Sequence, residues 1–292
     1  MFEEHRQRLF SLAYRMLGSA HDAEDVVQTA WLRWTAAQDV RDPAAFLTTV
    51  VTRLCLDEIG SARKRRETYV GPWLPEPVPT ADLGPLETVE QREQVTFGAL
   101  LLLERLSPQE RAVCVLRDGF DYPYRDLAQV LGLTEPHCRQ LHRRARQRLD
   151  QDAPRRRPVD PAVHVELGAR LFAAALDGDL AALEALLADD AVLVSDGGGL
   201  ASAARRPVTS RSKVARFVLG VTGKLDAATL TASVEDLNGA PALLVREAGR
   251  LSSVSFVETD GARIQRLLFV VNPVKLTRIP AVTSEGAASS QG

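Results

Sequence analysis

Between residues 135 and 149 the chain carries Arg139, Gln140, Arg143, Arg144, Arg146 and Arg148. Guanidinium groups pair bidentately with guanine edges and with phosphates, so this stretch has the chemistry to bind DNA. Its apolar or small residues Cys138, Leu141, Ala145 and Leu149 recur every three or four positions. That spacing turns them inward on a helix and leaves the polar groups outside. Just upstream, Leu127, Ala128, Val130 and Leu131 mark a shorter amphipathic helix that stops at Gly132. Thr134 is placed to cap the second helix, with Pro136 in its first turn, where a missing N–H costs little. A helix, a glycine turn and an arginine-loaded helix form a helix-turn-helix, whose second helix enters the major groove. His137 and His142 read as surface groups near phosphate, because neither has a carboxylate and a cysteine at metal-ligand spacing.

The chain of 292 residues suffices for two or three domains. Its 45% hydrophobic and 25% charged residues are those of a globular protein, and the net charge of −2 makes DNA binding a matter of local clusters. No apolar run approaches the ~20 residues of a membrane helix, and the N-terminus lacks the basic-then-apolar order of a signal peptide. A cytoplasmic protein with no membrane partner is expected. Cys55, Cys114 and Cys138 fall in predicted helices without metal spacing and read as reduced core residues. Neither metal nor cofactor is expected.

Proline divides the chain. Residues 69–88 include Gly71-Pro72-Trp73-Leu74-Pro75-Glu76-Pro77-Val78-Pro79 and read as an extended linker. Residues 151–161, with Pro154, Pro158 and Pro161, read as a second linker, and 279–292 as a disordered tail. Three domains remain: 1–68, 89–150 and 162–278.

The first domain is helical. Leu9, Phe10, Leu12, Ala13, Met16 and Leu17 mark one helix that stops at Gly18, and Asp22 opens a second with Val26, Val27, Ala30, Trp31 and Trp34 near one face. Asp42-Pro43 starts a third that carries Phe46, Leu47, Val50, Val51, Leu54 and Ile59 into Arg63-Lys64-Arg65-Arg66. Asp22, Glu24 and Asp25 gather where the helix dipole favours acid.

These segments resemble a known family. Asp22-Ala23-Glu24-Asp25-Val26-Val27-Gln28-Thr29-Ala30-Trp31-Leu32-Arg33 resembles region 2 of bacterial extracytoplasmic-function sigma factors, and Ala44 to Arg66 resembles their −10-reading helix. Leu106-Ser107-Pro108-Gln109-Glu110-Arg111 with the helix-turn-helix resembles their region 4. Trp73-Leu74-Pro75-Glu76-Pro77, Asp196-Gly197-Gly198-Gly199 and Asn272-Pro273-Val274-Lys275-Leu276 resemble motifs of the SigJ-type subgroup, which carries a SnoaL-like C-terminal extension. Leu200 stands where that subgroup's glycine motif has lysine, and Val274 where its late motif has an acid, so two charges that would tie the extension to the rest are absent.

The resemblance implies two partners, core RNA polymerase and promoter DNA. Asp22, Glu24, Asp25 and Gln28 would dock on the polymerase, with Trp31 and Leu32 packed beneath them. Arg53, Asp57, Arg63, Lys64 and Arg65 would lie at the −10 element, and loop 38–43 is the candidate pocket for an unstacked base, although it carries no aromatic side chain. Arg139, Gln140 and Arg143 would read −35 base edges, with Arg144, Arg146 and Arg148 on phosphates. The extension would take the place of a separate anti-sigma factor. Trp73, Leu74 and Pro75 offer it an exposed apolar anchor, and Asp196, Gly197, Gly198, Gly199, Asn272 and Pro273 are its own regulatory positions. Replacing Asp196 is expected to alter activity and leave folding intact.

From about residue 160, two helices (Val163 to Ala175 and Leu180 to Leu187) precede strand-like runs at 191–195, 242–246, 251–259 and 263–271, with 213–219 helical. Helices followed by several antiparallel strands give an α+β domain resembling the SnoaL-like cone, whose curled sheet can enclose an apolar pocket. The whole is a multidomain chain of two all-α domains and one α+β domain. The segment has no tyrosine, tryptophan or cysteine, and its one histidine, His164, lies at its start, so it is not expected to be an enzyme. Gly220-Val221-Thr222-Gly223-Lys224 lacks phosphate-loop spacing. The runner-up is a stand-alone helix-turn-helix regulator with a small-molecule-sensing C-terminal domain. Such a protein would need no polymerase-docking helix.

Overall fold

The computed structural model describes residues 2–86, 89–152 and 159–280. The proposed tail beyond residue 280 and the middle of the second linker lie outside the described residues. No described helix is long and apolar enough to cross a membrane. The chain divides into two compact units. Unit 1 comprises Met1–Tyr69, Trp73–Arg157 and Leu237–Ala240, and unit 2 comprises Val70–Pro72, Pro158–Asp236 and Pro241–Gly292.

Unit 1 is helical, and its helix starts are written locally. After α1 (Phe2–Leu17), Ser19 caps α2 (Ala20–Ala36) by accepting the Asp22 N–H at 3.1 Å. Asp42 caps α3 (Pro43–Glu67) in the same way, with proline at its first position. A short 3-10 turn (Thr80–Leu83), α4 (Val89–Glu93) and α5 (Phe97–Leu103) lead to α6 (Pro108–Phe120), which opens on a reciprocal capping box between Ser107 and Glu110. α7 (Tyr124–Leu131) ends on left-handed Gly132, and Thr134 caps α8 (Glu135–Asp152) by accepting the His137 N–H at 3.4 Å.

One core joins α1, α2, α3, α5, α6, α7 and α8. Tyr14, Leu17, Leu47 and Val51 belong to the same buried cluster as Val113, Leu116, Leu127 and Leu141. The proline-rich stretch packs too, with Val78 and Leu83 in that cluster. Asn238, at positive φ and fully buried, belongs to this unit. Its N–H donates to the Val78 carbonyl at 3.0 Å, its Oδ1 accepts the Val78 N–H at 3.0 Å, and its Nδ2 donates to the Tyr14 hydroxyl at 2.6 Å.

Unit 2 is α+β. Asp160 caps α9 (Pro161–Leu176) and Asp179 caps α10 (Leu180–Leu186). They are followed by β1 (Leu187–Asp196), β2 (Val208–Thr209), α11 (Arg211–Thr222), β3 (Leu230–Leu237), β4 (Ala240–Glu247), β5 (Arg250–Thr259) and β6 (Ile264–Val270). The sheet order is β2-β1-β6-β5-β4-β3. Several pairs are antiparallel as expected (β1 with β2, β4 with β5, β5 with β6), and β1 runs parallel to β6. A parallel neighbour needs a long connection and leaves no local turn signal. Leu193, Leu267 and Val257 form one cross-strand row, packed in a core with Leu167, Leu171 and Val214 of the helices.

Candidate nucleic-acid interface

On α8 the inward stripe is as its spacing requires. Cys138, Leu141 and Ala145 are buried, Leu149 is half-buried, and Arg139, Gln140, Arg143, Arg144, Arg146 and Arg148 are exposed. The arginines differ in freedom. Arg139 pairs with Glu135 at 2.8 Å over the Tyr124 ring, and Arg146 stands 3.5 Å from Asp118. Arg148 and Arg144 converge on buried Glu110 at 2.6 and 3.8 Å. Gln140 and Arg143 have no such partner among the described residues, and they share one outward face.

Behind that face lies a polar relay. His142 Nε2 is 2.9 Å from Asp118 and Nδ1 is 2.9 Å from the Tyr124 hydroxyl, which ties α8 to α6 and α7. The sequence offers His142 no carboxylate and cysteine at metal-ligand spacing, but the fold brings both beside it. Cys114 and Asp118, one turn apart on α6, bring potential ligand atoms within 4.8 Å of one another and of His142. Sequence spacing cannot show this, because the groups come from two helices. Burial, with the Asp118 charge next, pushes the Cys114 thiol up to about 12, which keeps it protonated. With both histidine nitrogens in hydrogen bonds and Arg146 beside Asp118, the cluster is a structural brace.

Along α3, Arg53 and Asp57 are exposed one turn apart. Arg63 and Lys64 follow on the same helix, their side chains lying outside the described residues. Arg65 pairs with Glu58 at 2.7 Å and Asp22 at 3.0 Å. Arg66 turns inward, donates to the Leu17 carbonyl at 2.7 Å, pairs with Glu104 and lies 3.6 Å over the Trp73 ring. Loop 38–43 has no aromatic of its own, but half-buried Trp34 and Phe46 meet across it with centroids 6.1 Å apart.

α2 presents a different surface. Asp22 is held by Arg65 and Glu24 by Arg6 at 2.7 Å, whereas Asp25 and Gln28 are exposed. Trp31 and Leu32 do not pack beneath them. They are 46% and 59% exposed and prolong the same outward stripe. The N-terminus of this helix is closed by Glu76, whose carboxylate accepts from the Ser19 hydroxyl and from the N–H groups of Ala20 and His21. The exposed-anchor reading of Trp73, Leu74 and Pro75 is corrected accordingly: Leu74 and Pro75 are buried, and Trp73 is half-buried under Arg66.

In unit 2 the two late motifs meet. Asp196 closes β1 and Lys275 follows β6, and their side chains pair at 2.7 Å with both residues buried. The Asp196 carbonyl accepts the N–H groups of Val271 and Asn272, and the Asn272 side chain caps the short turn Pro273–Leu276. Gly198 and Gly199 take positive φ, and a side chain on Gly199 would press on Val70. Asp196 is a buried ion-pair partner, so its replacement is expected to unsettle folding rather than spare it.

Sigma-70 region 2 matches residues 1–65 and sigma-70 region 4 matches residues 99–149. The extracytoplasmic-function RNA polymerase sigma factor SigJ of Mycobacterium tuberculosis (strain ATCC 25618 / H37Rv) is 40% identical over all of this chain and 97% of its own length. This chain belongs to the extracytoplasmic-function sigma factors, of the SigJ type. The probable sigma factor SigI of the same organism is 37% identical, over 60% of this chain and 62% of its own length. The crystal structure of M. tuberculosis SigJ superposes with a TM-score of 0.75 at 37% identity, covering 96% of this chain and 99% of that one.

Sigma factors bind core RNA polymerase and promoter DNA, and they are not enzymes. A sigma factor matched along its whole length leaves the stand-alone regulator without support. In this sigma factor regions 2 and 4 share a core, as the bond from Arg111 of α6 to the Met16 carbonyl at 2.8 Å illustrates. Leu200 and Val274, where its subgroup carries charges, are 65% and 63% exposed, so neither replaces a buried contact.

Proposed function

We propose that α2 docks on core polymerase through Asp25 and Gln28, with Asp22 and Glu24 shaping the same acidic face and Trp31 and Leu32 extending it. Arg53, Asp57, Arg63, Lys64 and Arg65 serve the −10 element from α3. Gln140, Arg143 and Arg139 read −35 bases, and Arg144, Arg146 and Arg148 hold phosphates. The site of action is the cytoplasm. The carrying observation is the outward stripe Asp25, Gln28 and Leu32, exposed while Asp22 and Glu24 are held by arginines, with Asp25 3.7 Å from the exposed His21 ring. An Asp25→Arg, Gln28→Ala variant, shown to be folded, should bind purified core polymerase at least tenfold more weakly. Unchanged binding would remove this docking surface.

The C-terminal domain takes the place of a separate anti-sigma factor. What supports this is that Leu237–Ala240 is built into unit 1, where Asn238 satisfies Val78 and Tyr14. Asn238→Ala should raise promoter-dependent transcription at equal polymerase affinity. Transcription unchanged in that variant would sink the regulatory part.

A further inference from the structure

We infer that unit 2 holds a binding site for a small aromatic acid, with the ring system inside the sheet and the carboxylate at Lys224. This goes beyond the polymerase and promoter reading and does not depend on it.

The cavity measures about 240 Å³. That is the room of about eight waters, and more than the ~150 Å³ in which an engineered cavity takes benzene. The sheet shows why the space exists. In the row Leu193, Leu267 and Val257 the helices close over the strands. One step along lies the row Phe269, Ser255 and Leu243, in which Phe269 and Leu243 are half-buried and all three residues line the cavity. Leu171 and Phe172 of α9 and Val218 of α11 form the opposite wall. Ring-sized apolar walls favour a flat apolar body.

The polar groups define the head. Ser252 and Ser255 already donate to the carbonyls of Val245 and Leu243, at 2.9 and 3.3 Å. Ser202, Ser253, Thr222 and Lys224 line the same cavity, and their side chains have no protein partner among the described residues. The lining therefore offers four uncommitted donor side chains, and it contains no carboxylate. An anionic or accepting head satisfies them, whereas a cation finds no counter-charge. The lining also holds no histidine, cysteine or tyrosine, so the molecule is held rather than converted.

The test is calorimetric titration of the full chain, without polymerase, using 2-naphthoate and the cationic 2-naphthylmethylamine. The expected result is one naphthoate per chain and no uptake of the amine. Lys224→Glu, on an exposed position that leaves the core untouched, should weaken naphthoate at least tenfold. Leu243→Trp, which fills the cavity, should abolish binding in protein with an unchanged far-ultraviolet spectrum. No naphthoate binding to the natural chain overturns the proposal. So does equal binding of acid and amine, or affinity unchanged by Lys224→Glu.

Discussion

The Glu76 carboxylate accepts the Ser19 hydroxyl at 2.8 Å at the mouth of α2. Its other oxygen takes the N–H groups of Ala20 and His21 at 2.9 and 3.1 Å, and its own N–H donates to the Gly18 carbonyl at 3.0 Å. A proline-rich motif 57 residues downstream thus supplies the charge that the helix start needs.

Glu76→Ala should therefore cost roughly 1–2 kcal/mol, the range of a lost helix cap. Glu76→Gln should recover part of it, because an amide oxygen still accepts. Urea unfolding of the full chain reads the difference. A loss no larger than that of an exposed Glu→Ala change elsewhere would show that the cap carries no weight.

Separating Asp196 from Lys275 leaves one buried charge alone. Lys275→Met and Asp196→Asn should each cost about 3–5 kcal/mol, and the double change should cost less than the sum of the two. Thermal melts of the four proteins form the cycle. Strict additivity would mean that the 2.7 Å contact contributes nothing of its own.

Cys114 sets an alkaline limit. Burial raises its thiol from 9.0 to about 12, so the stability it confers is complete below the unfolded value and is lost as pH rises through that window. Between pH 9 and 12 the melting temperature of the natural chain should fall further than that of Cys114→Val. Iodoacetamide at pH 8 should label Cys114 only as the protein unfolds. Rapid labelling of folded protein would contradict its burial.

Arg143 and Arg148 should separate reading from holding. Arg143→Ala should relax preference at one −35 position by about 1–3 kcal/mol and leave the melting temperature unchanged. Arg148→Ala takes the 2.6 Å partner from buried Glu110 and should lower stability as well as affinity. Competition binding against single-base promoter variants, with melts alongside, distinguishes the two.

What was legible in the chain is what neighbouring residues decide together. Gly132, Thr134 and Pro136 announce the helix-turn-helix, and Asp42 and Pro43 announce α3, because caps act across three or four positions. Asp196 and Lys275 are 79 residues apart, and no periodicity links them. The Asp118 and His142 pair joins two helices and was hidden for the same reason. The resemblance places Trp31 and Leu32 beneath the docking residues, but both are exposed, and an apolar side chain on a helix looks alike in sequence whether it meets a core or a partner. β3 escaped notice because Thr231, Ser233 and Glu235 dilute its apolar side chains.

The parallel pairing of β1 with β6 also sets a schedule for synthesis. Region 4 is complete at residue 149, while Ile264 opens β6, the central neighbour of β1. At about 5–20 residues per second, roughly 6–23 seconds separate the two on the ribosome. Throughout that interval the promoter-reading helices have emerged and the sheet cannot close. Each newly made chain therefore carries both sigma regions for seconds before β1 can find its parallel partner and before Leu237–Ala240 can complete unit 1.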